Sequence, residues 1–305
     1  MRNLRLAAWA FAAAAALCVR PCAAQPAASA AVGVAVSSAT LANGLRVIVV
    51  RDPLAPVVTT VMNYLVGSNE APAGFPGMAH ATEHMMFRGS PGLNADQLSA
   101  VAAAIGGDFD ADTQEGLTQY FFTAPVEDLD VALRIEGIRM RALLATQALW
   151  SKERGAIEQE VASDLSNPEY VFYKDLLATM FKGTPYAHDA LGTRPSFDKT
   201  TGEMLKKFHD GWYAPNNAVL IVAGDVEPAR ALALAEKTFG SIPKKSLPAR
   251  PSFDFQSVVP SSETLDTDQP YGLTALTFRF PGSDSPDYAA AQVLSDVLSS
   301  ERGSL

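Results

Sequence analysis

The sequence predicts an α+β fold: a mixed or antiparallel sheet covered by helices. Three observations carry this. Residues 45–50 and 57–66 are rich in β-branched side chains, as strands are. Residues 218–223 form a continuous apolar run of strand length, the mark of a strand buried on both faces. Apolar residues recur at helical spacing over 94–105, 126–144 and 229–239. Strands and helices of these lengths in one chain bury their apolar faces by layering on one another.

The chain opens with the pattern of an export signal over residues 1–24. Arg2 and Arg5 give a basic start, Leu6 to Leu17 an Ala-rich apolar run, and Cys22-Ala23-Ala24 a small-residue cleavage site before Gln25. The run is too short to anchor the chain across a bilayer, so no stable membrane insertion is expected. A lipoprotein signal would need leucine three residues before a cysteine, but Ala15 precedes Cys18 and Val19 precedes Cys22. The expected location is therefore periplasmic or secreted. Both cysteines lie in this segment, leaving the remainder without thiol or disulfide chemistry. Without its three arginines the chain carries 21 basic and 33 acidic residues. So acidic a chain, lacking basic clusters, is not expected to bind nucleic acid.

Residues 25–39 are small and aperiodic and are expected to form a flexible linker. The strands at 45–50 and 57–66 follow, separated by a turn at Asp52-Pro53 and Pro56. Gly67 to Gly77, with Pro72 and Pro76, is then a loop into the stretch that carries the chemistry, Gly77-Met78-Ala79-His80-Ala81-Thr82-Glu83-His84-Met85-Met86-Phe87. It holds two of only four histidines. On a helix, residues i and i+4 share a face and i+3 lies beside them, so His80 and His84 can aim two imidazoles at one ion with Glu83 nearby. His-x-x-Glu-His is the inverted form of the zinc-peptidase motif. Catalytic zinc takes three protein ligands and a water, whose pKa it lowers to about 7, and Glu83 has the chemistry of the general base.

The third ligand must come from elsewhere. A helix is expected from Ala148 to Leu165, and in it Glu153 and Glu160 stand two turns apart on one face. Acidic residues on a helix commonly form a solvated face, so spacing alone leaves their role open. Glu158, on another face, is expected to be solvent-exposed. His188 and His209 lack ligand spacing and are read as structural or exposed.

Between these helices lie Gly106-Gly107-Asp108-Phe109-Asp110-Ala111-Asp112-Thr113 and Thr118-Gln119-Tyr120-Phe121-Phe122-Thr123, and the second helix ends at Asn167-Pro168. Beyond the helix at 229–239 the composition changes, with Pro243, Pro248, Pro251 and Pro260 around Lys244-Lys245, giving an expected linker over 243–262. Gly272 to Pro281 reads as a strand and Tyr288 to Ser299 as a helix of another domain. The residues from 263 onward number about 40, too few to close a core.

With these segments in hand the sequence resembles the pitrilysin and insulysin metallopeptidases, which include the mitochondrial processing peptidases. The resemblance runs from Leu41-Ala42-Asn43-Gly44-Leu45 through Gly67-Ser68-Asn69-Glu70, the histidine helix and Glu153 to Glu160. It continues through Trp212-Tyr213-Ala214-Pro215-Asn216-Asn217 and Gly224-Asp225-Val226. It implies one Zn²⁺ per chain on His80, His84 and Glu160, with Glu83 as base and Glu153 supporting the site from behind. It implies that the 108–123 segment is an edge strand that pairs with substrate, through Asp110 and Ala111. Here the chain departs from the family: Asp110 stands where asparagine is usual, and Gly116 where aspartate is, so Asp110 keeps an acceptor but lacks the amide donors.

The implied organisation is a zinc-binding peptidase domain at 40–242, the linker at 243–262, and the truncated start of a related domain at 263–305, together one half of a clamshell. The implied activity is endopeptidase cleavage of peptides or unfolded segments, weak or absent without the C-terminal half or a related partner subunit. The family also contains subunits that bind substrate without cleaving it, and an exported zinc-binding protein without catalysis is a third reading, though it has no use for Glu83.

Overall fold

The computed structural model describes residues 35–300 except 273 and 281. The expected export signal and residues 25–34 of the expected linker lie outside that range. Strand β1, Ala35–Thr40, corrects the rest of the linker: residues 35–39 pair antiparallel with β2, Arg46–Arg51, in the register Ala35↔Arg51 to Thr40↔Arg46. Small residues carry no side-chain signal for a strand. Main-chain hydrogen bonds to a neighbouring strand hold this one.

There follow β3 (Val57–Tyr64), α1 (Met78–Arg88), the two-residue strands β4 (Gly89–Ser90) and β5 (Leu93–Asn94), and α2 (Ala95–Ile105). The hairpin of β6 (Asp108–Thr113) and β7 (Thr118–Pro125) comes next, then α3 (Leu129–Arg141), α4 (Gln147–Leu165), α5 (Pro168–Met180) and α6 (Arg194–Phe197). The last elements are α7 (Gly202–Trp212), β8 (Ala218–Gly224), α8 (Pro228–Phe239) and α9 (Tyr288–Ser299). Local chemistry sets several ends. Asn94 caps α2 by accepting from the Gln97 amide at 2.8 Å, and Gln97 returns a bond to the Asn94 amide at 2.9 Å. Pro168 opens α5 at a position where its missing N–H costs nothing.

Six strands form one mixed sheet in the order β1-β2-β8-β3-β7-β6, with β2 and β8 parallel and the other pairs antiparallel. Alternation along the strands turns Val47, Val49, Val58, Met62, Tyr120, Phe122, Leu220 and Val222 toward the helices, where all are buried. Ile48, Ile221, Val61 and Phe121 stand in register on the other face and are half-buried. Met78 and Met85 of α1, Leu133 of α3, Trp150 and Ile157 of α4, Trp212 of α7 and Phe239 of α8 complete the main core.

The described residues between Phe239 and Tyr288 form no helix or strand. The helix expected over 288–299 is present; the strand expected over 272–281 is not. A strand needs a neighbour for its N–H and C=O groups, and among the described residues none runs beside this stretch. Leu276 and Phe278 are exposed in it, while Arg279 lies over the Phe255 ring and donates to the Met180 carbonyl at 3.1 Å.

Candidate metal centre

Helix α1 begins at Gly77, whose φ of +87° is a left-handed conformation that glycine adopts without strain. A side chain there would also meet Gly192, whose Cα lies 2.7 Å from the position of a Cβ on Gly77. This backbone-to-backbone approach brings the loop after α5 against α1 and sets the Leu191 carbonyl 3.0 Å from His80 Nδ1. A carbonyl only accepts, so His80 Nδ1 carries the proton.

Helix α4 supplies the facing side. Trp150, Glu153, Ile157 and Val161 share its buried stripe, and Trp150 is anchored by donating to the Thr200 carbonyl at 2.7 Å. Glu153 therefore lies inside, 4 % exposed, with Oε1 2.8 Å from His84 Nδ1. Arg88 pairs with its other oxygen. Burial works to raise the Glu153 carboxyl, but His84 and Arg88 outweigh it and hold the group below the usual carboxylate range. His84 Nδ1, like that of His80, is a donor.

Both remaining nitrogens are then free to present lone pairs, and they face each other: His80 Nε2 and His84 Nε2 are 3.1 Å apart. Glu160, at the border of the α4 stripe, adds its carboxylate, Oε1 3.5 Å from His80 Nε2 and Oε2 3.4 Å from His84 Nε2. Two donors about 2.0–2.1 Å from one ion at the tetrahedral angle stand roughly 3.3 Å apart. The 3.1 Å between the two Nε2 atoms is close to that spacing, and each Glu160 oxygen lies at a similar distance from one imidazole. Burial alone favours neutral His84, but hydrogen bonds to Glu153 and Glu160 overcome it and push the imidazole up to about 9. The cluster demands positive charge between its donors, which a proton or a divalent cation can supply. Among the described residues His80, His84 and Glu160 are the group able to hold a metal ion.

Glu83 is buried on the same helix and opens on the same cleft, about 450 Å³ in volume. Burial raises its carboxyl above the usual range, opposed first by a hydrogen bond from Thr113 Oγ1 at 2.5 Å and then by the two imidazoles. Tyr170 also lines the cleft, and its hydroxyl donates to Asp189 at 2.5 Å.

Asp110 and Ala111 line the cleft on β6, an edge of the sheet. The Gln114 amide donates to the Leu117 carbonyl at 2.8 Å where the hairpin closes. Antiparallel pairing alternates from there, so Phe109, Ala111 and Thr113 direct their backbone groups away from β7. Their side chains face the helices, and those of Asp108, Asp110 and Asp112 face the other way, exposed. The Asp110 carboxylate turns back to accept from the Ala111 amide at 2.8 Å.

Glu158, expected to be exposed, is instead half-buried, since Arg154 at 3.3 Å and Arg194 of the neighbouring helix α6 at 3.8 Å close over it. It stands outside the metal cluster. His209 is fully buried with Nε2 donating to the Arg139 carbonyl at 2.9 Å, and half-buried His188 donates to the Asp189 carbonyl at 3.0 Å. Sequence reasoning missed Thr113, Leu191 and Arg88. Strand alternation could have aimed Thr113 at the helices and i+4 spacing could have added Arg88 to the histidine face, but no residue pattern announces a contributed carbonyl.

Comparison with known proteins identifies the family. The family model described as insulinase, peptidase family M16, matches residues 46–194, and that of the peptidase M16 inactive domain matches residues 199–305. The zinc protease PqqE of Helicobacter pylori is 27 % identical over 273 residues, 88 % of this chain and 62 % of that protein. An uncharacterised zinc protease of Rickettsia felis is 30 % identical over 203 residues, 66 % of this chain and 49 % of that protein. This chain thus spans about half to three-fifths of these relatives. Among solved structures, a Helicobacter pylori protease superposes with a TM-score of 0.68 at 28 % identity, covering 72 % of this chain and 53 % of that one. The periplasmic protease PqqL of Escherichia coli shares the fold, with a TM-score of 0.68 at 22 % identity over 72 % of this chain and 25 % of that one.

Proposed function

From its membership of the M16 metallopeptidase family, to which the chain belongs, we propose that this protein is a zinc-dependent endopeptidase acting on peptides or unfolded segments. One observation carries the reading: His80 Nε2 and His84 Nε2 face each other at 3.1 Å with the Glu160 carboxylate against both, one oxygen to each, and both Nδ1 protons are committed elsewhere. A zinc ion held there would supply Lewis-acid chemistry, acidifying water and polarising a scissile carbonyl. Glu83 takes the proton that water gives up as its oxygen attacks the carbonyl carbon. It returns that proton to the amine nitrogen as the C–N bond breaks. Thr113 holds one Glu83 oxygen and leaves the other for this exchange. Glu153 fixes the tautomer and orientation of His84, as carboxylates behind metal-ligating histidines commonly do. The outward amides and carbonyls of β6 take the substrate as an added strand, Ala111 among them. Asp110, exposed beside it, flanks that strand from the open face.

The helix at 288–299 and the exposed apolar residues before it support a second domain beginning near residue 263, completed by a C-terminal half or a related partner subunit. Export to the periplasm or beyond is proposed from the first 24 residues, in keeping with the periplasmic relative. No helix among the described residues is long and apolar enough to cross a membrane.

The test is zinc content and cleavage of a quenched unstructured peptide by the longest chain that the gene encodes, wild type beside Glu83→Gln. One zinc in both with cleavage by wild type alone is the expected result. Zinc in both with no cleavage by either points to a substrate-binding subunit, and no zinc in either overturns the reading.

A further inference from the structure

We propose that Arg88 is a positioning residue of the metal centre, which holds Glu153 behind His84 and so reserves the ion for Glu160. The proposal rests on the zinc reading only in taking His80, His84 and Glu160 as the ligand set. On α1, His80, His84 and Arg88 recur every four residues and share one face. On α4, Glu153 and Glu160 share the facing one. The two rows interlock as a ladder: His80 meets Glu160, His84 meets both glutamates, and Arg88 meets Glu153.

The two carboxylates are alike in sequence and unlike in their partners. Both oxygens of Glu153 are engaged, Oε1 by His84 Nδ1 and Oε2 by Arg88 Nε, and the group is buried. It sits at the ring edge remote from the converging Nε2 atoms, so it orients the imidazole without reaching the space between the donors. Among the described residues Glu160 pairs with no lysine or arginine, and its side chain is 43 % exposed. Its charge is available to an ion. Without Arg88, one oxygen of a buried carboxylate would lose its donor, and Glu153 would be free to turn off His84 toward another. Arg88 itself is 46 % exposed, so its replacement removes little packing.

The experiment measures zinc affinity by chelator competition, and the cobalt-substituted absorption spectrum, for wild type, Arg88→Gln, Glu153→Gln and the double variant. Arg88→Gln is expected to weaken zinc binding about 10–100-fold, the usual cost of disturbing a partner behind a metal ligand, and to alter the cobalt bands. In the Glu153→Gln background it is expected to add nothing. Arg88→Lys, which keeps the charge but not the planar donor, should fall between and serves where the glutamine variant does not fold. Unchanged affinity and spectrum in Arg88→Gln, or losses that add in the double variant, would overturn the positioning role while leaving the peptidase reading intact. Wild-type protein that binds no zinc would remove the ligand set and both proposals with it. Weaker zinc in Arg88→Gln without peptide cleavage by any variant would uphold the positioning role and count against the peptidase alone.

Discussion

The Thr113 hydroxyl donates to the Glu83 carboxylate across 2.5 Å and thereby ties edge strand β6 to helix α1. The strand proposed to receive substrate and the proposed base are thus one mechanical unit. Thr113→Val should leave zinc content unchanged and lower kcat roughly 10–100-fold, the equivalent of the ~1.5–3 kcal/mol that a hydrogen bond to a charged group contributes. Thr113→Ser should recover most of it. Steady-state kinetics with metal analysis on the same samples checks both.

Glu160 and Glu158 lie two residues apart on α4 with different surroundings. Glu160→Gln should weaken zinc binding by more than the ~10–100-fold typical of residues behind a ligand, because it removes a proposed ligand. Glu158→Gln, which disturbs only Arg154 and Arg194, should leave affinity within twofold of wild type, a change of about 0.4 kcal/mol or less and in the range expected of a half-exposed ion pair. Chelator competition on the pair decides it.

His209 makes the fold pH-sensitive. Burial lowers its imidazole below the ordinary value of 6.5, against the pull of Asp210 and the Arg139 carbonyl, with Lys245 adding to the depression. The unfolded chain therefore binds a proton there that the folded chain refuses, and stability falls as pH drops below about 6.5, by at most about 1.4 kcal/mol per pH unit. Asp210, held below the usual carboxylate range by His209 and Lys206, acts only at lower pH, in the carboxylate window. Denaturation midpoints at pH 7.5 and 5.5 should drop further in wild type than in His209→Gln.

Gly192 has φ +86°, and a Cβ on it would lie 2.6 Å from Gly77 Cα. Gly192→Ala should cost about 1–3 kcal/mol from overpacking alone. It should also weaken zinc binding, because the Leu191 carbonyl is carried away from His80. Thermal unfolding and metal affinity should both shift, whereas Gly74→Ala, in open space at φ +83°, should change stability without touching the metal.

What could be read beforehand was whatever repeats with a local period. The His80 and His84 pair, the Glu153 and Glu160 spacing, and strands β2, β3 and β8 all announce themselves within a few residues. Helix α7 went unread, although its Leu205, Phe208, His209 and Trp212 fall on one face. Helix α5 is harder, because only Met180 of it is buried and no apolar stripe develops. β1 and the strand expected at 272–281 fail in opposite senses for one reason: a strand exists only where another chain segment lies alongside, and composition does not reveal the neighbour. Spacing alone left Glu153 and Glu160 alike, and only the resemblance told them apart, since the arginine that engages Glu153, Arg88, stands 65 residues away in sequence.

The alternation of β6 has a consequence for how copies of this chain meet. An exposed strand edge ordinarily invites its own kind, and proteins with such an edge risk stacking into sheets. Here Asp108, Asp110 and Asp112 recur along the exposed side of that edge, so two copies approaching in register would bring together six carboxylates with no cation among them. That row of like charge disfavours in-register pairing of two copies along this edge, a repulsion that an extended chain without the same aspartates does not meet.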